Sequence, residues 1–134
     1  MRSLTIIAIL AGAFGVVGLA NAQNSSQAPR GESAVQMYDT CAANGYGALE
    51  CACMAGFYGG RLQPEEFRLL AVLNAHVDAN GDIGDMPAAQ QAMRSEAARI
   101  GMSDERFLQA MQRFSTMDRD GAEGDQVCTA LRGK

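Results

Sequence analysis

Residues 62–85 read LQPEEFRLLAVLNAHVDANGDIGD, and residues 102–125 read MSDERFLQAMQRFSTMDRDGAEGD. The two stretches align without a gap. Glu65 falls on Glu105, Phe67 on Phe107, Asp78 on Asp118, Gly81 on Gly121, Gly84 on Gly124 and Asp85 on Asp125. A period of this size marks a repeated supersecondary unit.

Each unit opens with the signals of a helix start. Gln63 and Ser103 stand at the N-cap, and serine is a preferred cap. Pro64 follows at the first helical position, where its missing N–H costs nothing. Leu62 and Met102 precede the caps and lie five residues before Phe67 and Phe107, the spacing of a hydrophobic staple. Glu65, Glu66, Asp104 and Glu105 fill the first turns and suit the helix dipole. An apolar stripe then runs at helical spacing through Phe67, Leu70, Ala71 and Val77, and through Phe107, Ala110, Met111, Phe114 and Met117. Gly81 and Gly121 are placed to end each helix in the left-handed conformation. Asp85 and Asp125 are placed to cap the next one. The expected unit is a capped helix, an Asp/Gly turn and a new helix.

Outward from the repeats, the chain opens MRSLTIIAILAGAFGVVGLANAQ. Arg2, an apolar run from Leu4 to Ala20 and the small-residue pattern Ala20-Asn21-Ala22 read as a signal peptide over 1–22. The rival reading is an uncleaved anchor, since the run approaches the length of a membrane span. Cleavage removes Arg2 and leaves ten basic against fifteen acidic side chains. Such a chain has no basic patch for nucleic acid and no polybasic stretch for anionic lipid. No membrane association is expected after signal cleavage. The destination is the periplasm or the exterior, and either is oxidising.

Residues 23–32, QNSSQAPRGE, are polar and read as a flexible leader. A single helical domain is expected over 33–134. Ser33 is the cap of a first helix reaching about Ala43, with Val35, Tyr38, Cys41 and Ala42 on its inner side. Asn44-Gly45 and Gly47 break it. A second helix, 48–58, is apolar or small nearly all round, which marks a central element. Its one charge, Glu50, sits in the first turn, and Gly59-Gly60 ends it. Further helices are expected over 64–79, 86–100 (Ala89, Met93, Ala97 and Ile100 inward), 104–119 and 126–132. No alternating run of β-branched residues suggests a sheet. The fold class is therefore all-α: a small bundle of five or six short helices with two helix-turn-helix repeats, cross-linked by disulfides.

Four cysteines occur, Cys41, Cys51, Cys53 and Cys128. An even count in a short exported domain reads as a disulfide framework. Cys51 and Cys53 lie two apart on one helix and point to different sides, so each pairs elsewhere. Cys41 with Cys51 and Cys53 with Cys128 is favoured over the swap. Cys51 is nearer the turn after Cys41, and Cys53 shares a stripe with Leu49 and Phe57, which should face the bundle and the returning C-terminal helix.

The Asp/Gly turns at 78–85 and 118–125 invite a calcium reading through Asp78, Asn80, Asp82, Asp118 and Asp120. An EF-hand loop needs Gly at position 6 and a bidentate Glu at position 12. Counted from Asp78 these positions hold Ile83 and Ala89. Counted from Asp118 the twelfth is Thr129. Useful calcium affinity is not expected, and no metal or cofactor is assigned. His76, the one histidine, lies beside the first turn and is read as a surface residue rather than a ligand. No G-x-S-x-G, H-E-x-x-H or phosphate-cradling glycine motif is present, so no catalytic residue is assigned and no enzyme is expected. The expected function is a protein-binding or structural module with a protein partner. A calcium-binding module is the alternative.

Overall fold

The computed structural model describes residues 30–132, except for the side chains at 118–123 and 125. The signal segment 1–22, residues 23–29 of the leader, and residues 133–134 lie outside the described residues. Five helices are present among the described residues: α1 over 30–43, α2 Ala48–Arg61, α3 Pro64–Asn74, α4 Met86–Arg99 and α5 Asp104–Thr129. No strand accompanies them; the one β feature is an isolated antiparallel bridge between Val77 and Ile83. The two disulfides are Cys41–Cys51 and Cys53–Cys128, as favoured from the sequence.

The helix starts follow the sequence. Ser103 Oγ accepts the Arg106 N–H at 3.3 Å. Asp85 Oδ1 accepts the Ala88 N–H at 2.9 Å. The Gln63 N–H donates to the Glu66 carboxylate at 2.9 Å, one half of a capping box. Both staples close inside one core cluster each. Leu62 and Phe67 join Met37 and Ala55, while Met102 packs with Phe107 against Leu69, Met93, Ala97 and Ala110. Phe114 touches both clusters and links them. Helix α3 packs chiefly on α4, and α2 on α5. Helix α1 lies over α2 and α3 through Ala34 and Met37.

Several boundaries differ from the sequence reading, and each has a packing cause. Helix α1 already includes residues 30–32, so Ser33 is not its cap. Ser33 is fully buried, and the Arg30 guanidinium donates to the Leu62 carbonyl at 3.4 Å. The inner face of α1 runs Ser33, Met37, Cys41, and Val35 points outward at 61% exposure. The disulfide at Cys41 sets that rotation. Helix α2 continues through Gly59 and Gly60 to Arg61. Gly59 has a different role there: a Cβ would stand 3.2 Å from the Phe67 ring. Helix α3 ends at Asn74, five residues early, and Gly81 takes its positive φ of 87° within the following loop rather than at the helix end.

The largest difference is in the second repeat. No turn forms at 118–125 and no separate helix follows. Helix α5 runs unbroken from Asp104 through Gly121 and Gly124 to Thr129. Two tertiary links to α2 overrule the turn chemistry. Cys128 is bonded to Cys53. Gly124 lies so close to Phe57 that a Cβ would meet its Cε1 at 2.7 Å. Phe57 has little room to withdraw, because it stands edge-on to Tyr58 and carries the Arg61 guanidinium 3.5 Å above its ring. Gly124 is thus a packing glycine. Alanine should gain up to about 1 kcal/mol of helix propensity and lose about 1–3 kcal/mol to overpacking. Gly124→Ala is expected to lower stability by about 1 kcal/mol net. In a Phe57→Ala background the same change should become neutral or stabilising. A stabilising effect in the wild-type background would show that α5 and α2 do not meet here.

One ion-pair cluster ties α3 to α4. Glu96 accepts from Nε of Arg68, and from Arg99 Nη2 at 2.6 Å and Nε at 2.8 Å. The Arg99 hydrogen bonds, and then Arg68, hold the Glu96 carboxyl down at about 2 against an ordinary 4.5, with burial opposing them. A depressed carboxyl stabilises the fold above its unfolded value and loses that contribution as pH falls through the folded one. The loss should therefore occur between about pH 4.5 and pH 2. Arg99 is more than half exposed, so solvent screening reduces the contribution to about 1–2 kcal/mol. Acid titration of unfolding free energy should show that slope, and Glu96→Gln should flatten it.

Candidate functional site

Where α1, α2 and α3 converge, they leave a partly open cleft of about 210 Å³. Helix α1 contributes Met37 and Cys41, and its C-terminal turn contributes Asn44. Helix α2 contributes Glu50, Met54 and Tyr58, and α3 contributes Leu70 and Asn74. Tyr46 and the segment Val77, Asp78 and Gly81 complete the rim. Met37, Met54, Tyr58, Leu70 and Val77 make the walls mostly apolar.

The rim is held by polar contacts between distant segments. Asn44 Nδ2 donates to the Val77 carbonyl at 3.2 Å. The Tyr46 hydroxyl lies 3.5 Å from the Ala79 carbonyl. The Asn44-Gly45 break expected from the sequence is present, with Gly45 at φ 88°, and it carries Tyr46 across to the loop. The Cys41–Cys51 disulfide fixes the α1 wall to α2, its Cα atoms 5.5 Å apart.

Glu50 is the unusual member. A first-turn carboxylate is expected to face water, yet this one is 4% exposed. Arg132, eighty-two residues away, compensates it. Nη2 and Nε of Arg132 reach Oε1 at 2.8 and 3.2 Å, and Nε lies 3.4 Å from Oε2. Arg132 also lies 5.9 Å from the Tyr46 ring centre. No sequence signal marks this pair, because its members sit at opposite ends of the domain.

Asp78 is turned onto its own loop. Its Oδ1 accepts from the Asn80 N–H at 2.8 Å and the Asp82 N–H at 3.0 Å, while its own N–H donates to the Asp82 carbonyl at 2.9 Å. The hydrogen bonds from Asp82 and then Asn80 hold its carboxyl below the ordinary value. This is a self-contained Asx turn, and Gly81 supplies its positive φ. Among the described residues, no group of three or more His, Cys, Asp or Glu is gathered to hold a metal ion. His76 stays apart from the cleft lining. Asp118 and Asp120 belong to helical backbone in α5, not to a loop, and their side chains lie outside the described residues.

The cleft's ionisable groups are two carboxylates and two tyrosine hydroxyls; its cysteine is disulfide-bonded. Among the described residues lining it, no nucleophile is paired with a base. Among the described residues no helix is long and apolar enough to cross a membrane. Comparison with family models, with curated proteins and with solved structures finds no match for this chain.

Proposed function

We propose that the protein is an exported, non-enzymatic module that binds a protein partner by seating one of its side chains in the α1–α2–α3 cleft. The observation that carries this is the cleft's size and lining. At about 210 Å³ it is below the roughly 300–1,000 Å³ of a cofactor or drug-sized site. It exceeds the roughly 150 Å³ that holds a benzene ring. One side chain fits that range, and mostly apolar walls suit an anchor residue. Two disulfides in a small helical domain accord with an oxidising destination.

Native cross-linking with mass spectrometry tests the reading. Partner cross-links should flank the cleft, and filling it by Met54→Trp should abolish them. Capture unaffected by the filled cleft would remove this surface from the function.

The calcium alternative has its own scale. A site of about 10 μM dissociation constant in about 1 mM calcium would stabilise by about 2.7 kcal/mol. That would raise Tm by roughly 10 °C. With no closing carboxylate at the twelfth position, where Ala89 stands, the expected difference between calcium and equal magnesium is under about 2 °C. A calcium-specific rise near the larger value, lost in Asp78→Ala, would put the metal module first.

A further inference from the structure

The charge around the cleft selects among the side chains that could enter it. Among the described residues its lining contains Glu50 and Asp78 and no lysine, arginine or histidine. Arg132 pairs with Glu50, so Glu50, Asp78 and Arg132 together carry one net negative charge. An entering carboxylate would raise that to two, and an entering cation would cancel it. The Glu50 hydrogen bonds point the same way. Oε1 takes the two shorter contacts from Arg132, while the contact from Arg132 to Oε2 is the longest at 3.4 Å. A buried carboxylate oxygen gains most from a charged donor.

We propose that the anchor seated in the cleft is a basic side chain, lysine or arginine, on the partner protein. Its alkyl stem lies against Met54, Tyr58 and Leu70, and its cation meets the carboxylates of Glu50 and Asp78. Lysine and arginine combine such a stem with a charged head, matching apolar walls and an acidic end. The proposal rests on the cleft being the partner site.

The test titrates isotope-labelled protein with two capped amino acids and follows its backbone amide resonances. One probe is N-acetyl-lysine N-methylamide. The other is its norleucine counterpart, which has the stem without the amine. The lysine probe should shift the amides of Tyr46, Glu50, Met54 and Asp78 and bind about tenfold more tightly than the norleucine probe. Asp78→Asn keeps the side-chain oxygen that closes the loop and removes the charge. It should reduce the lysine preference about threefold, and added salt should reduce it in the wild type. It is a safer variant than Glu50→Gln, which leaves Arg132 facing a neutral buried group. Equal affinity of the two probes would overturn the basic anchor while leaving the cleft a side-chain site. Failure of both probes to shift the cleft amides would overturn both readings.

Discussion

Removing the Cys53–Cys128 disulfide should cost about 4.5 kcal/mol, against about 2.7 kcal/mol for Cys41–Cys51. The difference follows from loop length, 75 residues against 10, since closing the longer loop removes more freedom from the unfolded chain. A domain of this size has roughly 5–15 kcal/mol in all. Loss of the long cross-link therefore brings it close to unfolding, and the end of α5 is the part released first. The comparison uses Cys53→Ala/Cys128→Ala and Cys41→Ala/Cys51→Ala, with denaturant unfolding as the measurement. The long-loop variant should show the lower midpoint. In Cys41→Ser/Cys51→Ser, thiol titration of the folded, air-oxidised protein should find no free thiol. Two reactive thiols there, or a less stable short-loop variant, would contradict this account.

The parts of the fold that were legible in the sequence are those set by neighbours along the chain. Asp85, Ser103, Leu62 and Met102 act within a turn or two of themselves, and the structure has them in the expected roles. The stripe of α4 (Ala89, Met93, Ala97) is buried as its spacing implies. What failed was decided elsewhere in the chain. Asp118-Arg119-Asp120-Gly121 carries the composition of a turn, yet α5 continues through it to Gly124 and Cys128, which meet Phe57 and Cys53 from far earlier in the chain. After Asn74 the first repeat has no disulfide or packing glycine of that kind among the described residues; Asn44 and Tyr46 hold its turn instead. Leu49, grouped with Cys53 and Phe57 as inward-facing, is 52% exposed because α5 covers only part of α2. Leu69 lies off the Phe67 stripe, yet it is fully buried against α4 and α5. The cleft was invisible for the same reason as the second-repeat helix. Its walls come from separate segments, and the Glu50–Arg132 pair joins positions that no local pattern connects.

Phe67→Ala is expected to cost about 3–5 kcal/mol, comparable to the long disulfide. Phe67 is fully buried and packs in the cluster with Met37, Ala55 and Leu62, with Gly59 kept bare beside its ring. Those neighbours belong to two helices and an interhelical turn, so they cannot all close over the space an alanine leaves. The penalty should stand at the upper end of the range. Phe107 occupies the equivalent place in the second unit but is 8% exposed and lies in the other cluster. Phe107→Ala should fall toward the lower end, about 3 kcal/mol. Phe67→Leu and Phe107→Leu, which keep most of the volume, should cost under about 1.5 kcal/mol each. These milder variants allow the two sites to be combined without unfolding the protein. If the clusters are separate, their effects should add within about 0.5 kcal/mol. Phe114 is the side chain that touches both. A larger coupling, absent in a Phe114→Leu background, would mean that the repeats share one core through that ring. Denaturant unfolding of the single, double and triple variants decides between them.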